Sequence, residues 1–306
     1  MPSGFTSGVG GTGKSFLIKS LILWVAQNLG KKVAVCAPTG MAASHINGQT
    51  LHALLQLPVE HGDTLKYARL SDTVLEVLRI ALKDVVLLII DEISMVSNVN
   101  FMMVHLRLSE IFDSHDRAPM GGLNIFTTGD LLQLSPVKGR PVYMNLTAQQ
   151  RQKHFSSMCS INLWAEYFTD YDELQINMRQ RTDPSFCELL ANTRLDSIEC
   201  KLTERNRAHK RLRDLEEDCS RTAGLEKVIV VKEGAKIILK KNLDMTKKFV
   251  NGFPIAVAYG ISIHKSQGLS LDSCTTDIGN RIFTCGQSYV ALSRTSTIPH
   301  VQNVKN

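Results

Sequence analysis

The chain has 306 residues, 43% hydrophobic and 21% charged, with a formal net charge of +6. This composition excludes a disordered or fibrous chain, and the length suits two domains of about 100–200 residues each. The longest uncharged apolar stretches, LILWVAQNLG with its flanks and VVLLII at 85–90, fall short of the about 20 residues that a bilayer span needs, so no membrane partner is expected. The N-terminus MPSGFTSGVG has no signal-peptide pattern, and seven cysteines without a CxxC pair point to a reducing compartment.

In chain order, KSFLIKSLILWVAQNLG (14–30) has apolar residues at helical spacing and a glycine where a C-cap belongs. VAVCA (33–37) reads as a buried strand that ends at Pro38. LSDTVLEVLRIAL (70–82) reads as a helix with Ser71 or Asp72 as N-cap. VVLLII (85–90) is too short for a helix and too apolar for a sheet edge, so it predicts a central parallel strand. LNIFTT (123–128) predicts another, and strands alternating with helices predict an α/β fold with a parallel sheet covered on both faces.

Farther on, 201–219 reads as a charged helix, VIVV (228–231) and KIILK (236–240) as strands, and 261–271 as mixed strand and loop. GQSYVALSR (286–294) reads as a loop entering a helix. A domain boundary near 165–178 separates residues 1–172 from 173–306. The first part holds 14 Lys+Arg and 14 Asp+Glu, the second 21 and 15, so all the excess charge lies in the second. A basic domain beside a neutral one hints at a polyanionic partner, though an ordinary basic surface reads the same. The run RNRAHKRLR (205–213) fits a nuclear address, a DNA patch or, given the acids that follow, a solvated helix. Trp24, Trp164 and the methionines form no stripe and are assigned to the core.

Three segments carry chemistry. GVGGTGKS, Gly8 to Ser15, fits GxxxxGK[ST] ahead of a helix. Its glycines, among them Gly10, Gly11 and Gly13, let backbone N–H groups of the loop and of Thr12 wrap phosphate oxygens. Lys14 then reaches the β- and γ-phosphates and Ser15 Oγ ligates Mg²⁺. In LLIIDEIS a buried strand delivers Asp91 and Glu92 at its C-terminal end, where open α/β sheets bind ligands. Asp91 suits Mg²⁺ held through water, and Glu92 suits the base that orients and deprotonates the attacking water. In TTGDLLQLSPV (127–137), Gln133 follows a strand and can hydrogen-bond a γ-phosphate or that water.

With APTGMAASHINGQTLHALL between the first two, these segments resemble the superfamily-one DNA helicases of the PIF type (petite integration frequency). The resemblance extends to Helitron helicase segments and, more distantly, to RecD. LQINMRQRTDPSF (174–186), GAKIILKKNLD followed by VNG (250–252), YGISIHKSQGLSLD (259–272) and GQSYVALSR continue the match over nearly the whole chain, with Ser135 where the family usually has a proline. The resemblance implies a P-loop NTPase of two RecA-like domains, the second one reduced, that hydrolyses ATP with Mg²⁺ and moves 5′ to 3′ on single-stranded DNA or DNA junctions. It implies arginine fingers at Arg179 and Arg294, and coupling of the γ-phosphate to DNA through Gln267 and Gly268. DNA contacts are implied at Thr39, Gly40, His52, His264, Lys265 and Ser266. A nuclear or mitochondrial home and work in repair, recombination or telomere maintenance follow from it alone.

Two family segments are expected to be missing: an upstream adenine-recognition helix and a small β-barrel inserted near residue 252. A fragment that binds single-stranded DNA without productive hydrolysis is therefore an alternative reading. A protein-remodelling ATPase of the AAA+ kind is another, against which YVALSR and the basic second part argue.

Overall fold

The structure, a computed structural model, describes residues 3–59, 65–114, 118–137, 139–155, 162–204, 261–276, 278 and 286–303. In chain order these form β1 (Gly4–Gly8), α1 (Lys14–Leu29), β2 (Lys32–Ala37), α2 (Gly40–His45), β3 (Gln49–Thr50), α3 (Leu51–Leu55), α4 (Asp72–Leu82) and β4 (Val85–Ile90). There follow α5 (Asn98–Ile111), β5 (Asn124–Gly129), α6 (Ala148–His154), α7 (Leu163–Tyr167), β6 (Asp170–Leu174) and α8 (Pro184–Glu204). The last elements are α9 (Ile263–Ser266), β7 (Cys274–Thr276), α10 (Gln287–Leu292) and β8 (Val301–Asn303). Among the described residues, no helix is long and apolar enough to cross a membrane.

The first sheet has six parallel strands in the order β3-β2-β4-β5-β1-β6. Strand β4 shows why its sequence is continuously apolar. Alternate side chains enter opposite cores: Leu88 and Ile90 join the cluster under α3, α4 and α5, while Ile89 joins the one under α1 and α2. The expected helices and strands at 14–30, 33–37, 70–82, 85–90 and 123–128 are present, with Gly30 left-handed after α1 and Ser71 at the start of α4.

Four features depart from the sequence reading. Strand β6, DYDEL, has no apolar alternation, yet it pairs with β1 along its whole length. Its acidic side chains stand on a sheet edge, where charge discourages pairing with other chains. Helix α5 is buried nearly all round, so it lacks the polar face that marks a helix in sequence. Residues 263–266, expected within a stretch of mixed strand and loop, form a short helix, closed by Lys265 and Ser266 N–H groups on the Ser262 carbonyl.

Trp24 is the fourth. Apolar residues run all round α1, and the helix buries Ile18 and Val25 while leaving Phe16, Leu23 and Trp24 exposed. Trp164, in contrast, packs against the larger core. The strands expected at 228–231 and 236–240, the basic run at 205–213, the charged helix beyond 204 and the junction near 252 lie outside the described residues.

Candidate active site

The loop between β1 and α1 is shaped by glycine. Gly11 has φ +96°, and a Cβ there would lie 2.6 Å from both Arg179 Cβ and Asn177 Oδ1, so both backbone angle and space require glycine. Gly13 opens α1 at φ 92° with no side-chain cap, and its carbonyl accepts the N–H groups of Phe16 and Leu17. A helix start without a cap in a glycine loop is an anion site. Lys14 Nζ donates to the carbonyls of Gly8 (2.6 Å) and Val9 (3.1 Å), folded over the loop. Thr12 Oγ1 also donates to the Val9 carbonyl, at 2.9 Å.

The end of β4 supplies the acids. Asp91 and Glu92 are both buried. Asp91 Oδ1 accepts the Thr128 hydroxyl at 2.6 Å and the Glu92 N–H at 2.8 Å. Glu92 sits at φ 52°, a left-handed conformation that costs a non-glycine residue about 1–3 kcal/mol and is typical of functional sites. Gln267 Nε2 donates to Glu92 Oε2 at 2.9 Å, which ties the end of α9 to the Glu92 carboxylate. Burial raises both carboxyls above their usual range. The Asp91 charge adds to the rise at Glu92, and Lys14 opposes it at both. A raised carboxyl is a better proton acceptor from water.

Two guanidinium groups face these acids. Gly11 O accepts the N–H groups of Met178 (2.9 Å) and Arg179 (3.3 Å), so the segment after β6 is docked on the phosphate loop by its backbone. Arg179 Nη1 donates to Ser293 O at 2.8 Å. Arg294 is 3% exposed, and it donates to the carbonyls of Val290, Ser266 and Leu269 and to Ser293 Oγ. Burial and then the Arg179 charge push Arg294 down to about 10, which still leaves it cationic at neutral pH.

A cavity of about 330 Å³ gathers Gly10, Gly11, Gly13, Lys14, Ser15, Asp91, Glu92, Gln133, Arg179, Gly268 and Arg294. Of the other expected residues, Gly8 and Thr12 shape the loop and Gln267 stands behind Glu92. Thr39 caps α2 by accepting Ala42 N–H, and Gly40 begins that helix. His52 on α3 and His264 on α9 are partly buried, and burial lowers the pKa of each. Lys265 is partly exposed, and Ser266 is buried with its hydroxyl donating to Ile263 O. None of these six lines the cavity.

The sequence reading missed several site residues. Ala42, His45 and Met178 line the cavity. Thr128 fixes Asp91, and the Tyr289 hydroxyl accepts Gly10 N–H at 3.0 Å. Tyr289 stands inside the recognised GQSYVALSR stretch, so a buried tyrosine at a motif was the available signal. Thr128 likewise stands inside the stretch TTGDLLQLSPV, where a hydroxyl at the end of a buried strand was the available signal.

The residues fit ATP and Mg²⁺. Among the described residues, both side-chain hydrogen bonds to Asp91 fall on Oδ1, which leaves Oδ2 for a cation, and Ser15 lines the same cavity. Hard oxygen donors in small number suit Mg²⁺ that shares its shell with phosphates. Gln267 Oε1 is buried without a hydrogen-bond partner among the described residues, an acceptor placed beside Glu92 where the O–H of a water can be held.

Comparison with known proteins agrees with this geometry. The family model described as PIF1-like helicase matches residues 3–199. The mouse protein named ATP-dependent DNA helicase PIF1 is 28% identical over 96% of this chain and 56% of its own length. The Bdellovibrio bacteriovorus protein named ATP-dependent DNA helicase Pif1 is 24% identical over 95% of this chain and 81% of its own. This chain thus spans little more than half the length of the mammalian relative. Among solved structures, the Bacteroides Pif1 helicase in complex with ADP-AlF3 and ssDNA superposes with a TM-score of 0.69 at 23% identity, covering 99% of this chain and 89% of that one. The Pif1 helicase from Candida albicans gives 0.66 at 22%, covering 100% and 92%. These likenesses show a P-loop NTPase fold of the RecA-like kind.

Proposed function

The chain belongs to the PIF1-like helicase family, and from that premise we infer that it is an ATP- and Mg²⁺-dependent DNA helicase or translocase that moves 5′ to 3′ on single-stranded DNA. The observation that carries the reading is the cavity itself. It joins a phosphate loop and the acid pair Asp91–Glu92 from residues 1–172 to two guanidinium groups from residues 173–306, the partly buried Arg179 and the buried Arg294. A motor needs its hydrolytic site between two parts of the chain, so that losing the γ-phosphate changes how they meet.

The residues divide the work. The loop N–H groups and Lys14 bind the β- and γ-phosphates. Ser15 and Asp91 hold Mg²⁺, which when bound neutralises charge on the phosphate oxygens. Glu92, with Gln267 against its other oxygen, orients the attacking water and takes its proton. Arg179 and Arg294 stabilise charge on the transferred phosphoryl group, a contribution of about 10³–10⁵ in rate for a single finger. Gln133 stands where it can read the terminal phosphate. Thr39, Gly40, His52, His264, Lys265 and Ser266 are the candidate DNA track, reached from the cavity through Gln267 and Gly268. DNA affinity is expected to fall steeply with salt, with a slope of about −0.7 for each phosphate neutralised. DNA junctions, a nuclear or mitochondrial home and work in repair, recombination or telomere maintenance accompany the reading.

The test is steady-state ATP hydrolysis at low salt with and without single-stranded DNA, with Lys14→Ala as control. Strong stimulation that Lys14→Ala abolishes supports the motor. Equal slow hydrolysis by both proteins, with oligonucleotide binding intact, overturns it in favour of a binding fragment.

A further inference from the structure

Beside the cavity, but outside its lining, lies a second buried junction between the two parts of the chain. Asp130 opens the turn after β5, its carbonyl accepting Gln133 N–H, and it is completely buried. An ionised carboxylate in that place needs a cation and hydrogen bonds. Arg194 of α8 supplies both: Nε lies 3.1 Å from Oδ2 and Nη2 lies 3.0 Å from Oδ1, the two-pronged geometry peculiar to arginine. The same carboxylate accepts Leu132 N–H at 3.0 Å and Gln133 Nε2 at 3.4 Å. The Gln133 side chain, which lines the nucleotide cavity, is thus anchored on a carboxylate that Arg194 holds.

The surrounding packing confines this turn. Leu134 shares an apolar cluster with Phe186 and Leu190 of α8 and Tyr289 and Val290 of α10. Gly286, at the start of α10, comes so close that a Cβ there would lie 3.1 Å from Leu132 O. Tyr289 continues from that cluster to the phosphate loop through Gly10 N–H. Gln133 and the loop are therefore both tied to α8 and α10, and neither tie passes through the residues that face the phosphates.

We propose that Arg194 is a positioning residue for ATP hydrolysis: its fork on Asp130 fixes the Gln133 amide at the terminal phosphate and makes α8 the element that feels whether that phosphate is present. The inference rests on the ATPase reading above. An ion pair that only stabilised the fold would lower activity independently of Gln133. A positioning residue acts through Gln133, so its effect disappears once Gln133 is gone.

The experiment measures ATP hydrolysis by the whole chain with single-stranded DNA, for wild type, Arg194→Lys, Gln133→Ala and the double variant. Arg194→Lys keeps a cation over Asp130 but loses the fork. Its kcat is expected to fall about ten- to a hundredfold, the range set by a misplaced catalytic group, with KM for ATP within about threefold. The double variant is expected to be no slower than Gln133→Ala alone. The pair Asp130→Asn/Arg194→Gln removes both charges at once. It leaves no buried ion to unfold the protein, and it should show the same loss of kcat. Losses that multiply in the double variant, or an unchanged kcat in Arg194→Lys, overturn the inference while leaving the ATPase reading intact. A wild-type chain inert toward ATP, with or without DNA, overturns both.

Discussion

Arg107 and Arg294 are buried alike, at 1% and 3% exposure, yet their surroundings are opposite. Arg107 on α5 meets Glu110 at 2.6 Å, donates to the carbonyls of Gln56 and Ala68, and stacks over the Tyr67 ring at 5.0 Å. Glu110 in turn accepts the Tyr67 hydroxyl and Leu70 N–H. The charge is answered within the chain, and the group fastens the segment before α4 to α5. Arg294 forms no ion pair among the described residues. Neutral oxygens hold it in place, a second guanidinium stands beside it, and the carboxylates across the cavity are those of Asp91 and Glu92. A buried cation paired inside the fold is structural. One held open beside a phosphate loop is positioned for an anion brought from outside.

That contrast can be broken experimentally. The largest expected effect is on Arg294→Ala: kcat for DNA-stimulated ATP hydrolysis should fall about 10³-fold or more. If the variant instead loses stability as Arg107→Ala does, while its folded fraction stays active, the two arginines are alike and the comparison fails. Glu92→Gln comes next, with an expected loss of about 10²–10⁴ in kcat and fluorescent ATP-analogue binding retained. Arg107→Ala should leave Glu110 uncompensated and destabilise the fold by about 3–5 kcal/mol, read by denaturant titration, with the specific activity of the folded protein kept. Thr39→Ala, which removes the cap on α2, should cost about 1 kcal/mol by the same titration. A larger drop in oligonucleotide affinity than in stability would sharpen the candidate DNA track.

Glycines 8 to 13 with Lys14 and Ser15, the pair Asp91–Glu92 and the core strands were legible because each needs only neighbours in sequence. A phosphate loop is one turn, and a doubly buried strand is one apolar run. Helix α5 and strand β6 were not legible. The first is buried on nearly every side, polar residues such as Asn98 and Arg107 included, and the second is acidic because it stands on an edge. Both take their structure from what packs beside them. Trp24 shows the same limit in reverse, since the apolar pattern of α1 does not say which face meets the sheet.

The sequence by itself determined the α/β class, the phosphate loop, the acid pair and the resemblance that named the arginines, because backbone angles and local periodicity are short-range properties. Only the tertiary structure decided that Arg179 docks on Gly11, that Gln267 reaches Glu92, that Tyr289 holds Gly10 and that Arg194 grips Asp130. Each of these contacts joins groups far apart in the chain. Their energy comes from burying complementary charge and hydrogen-bonding groups together, which no single segment can do alone.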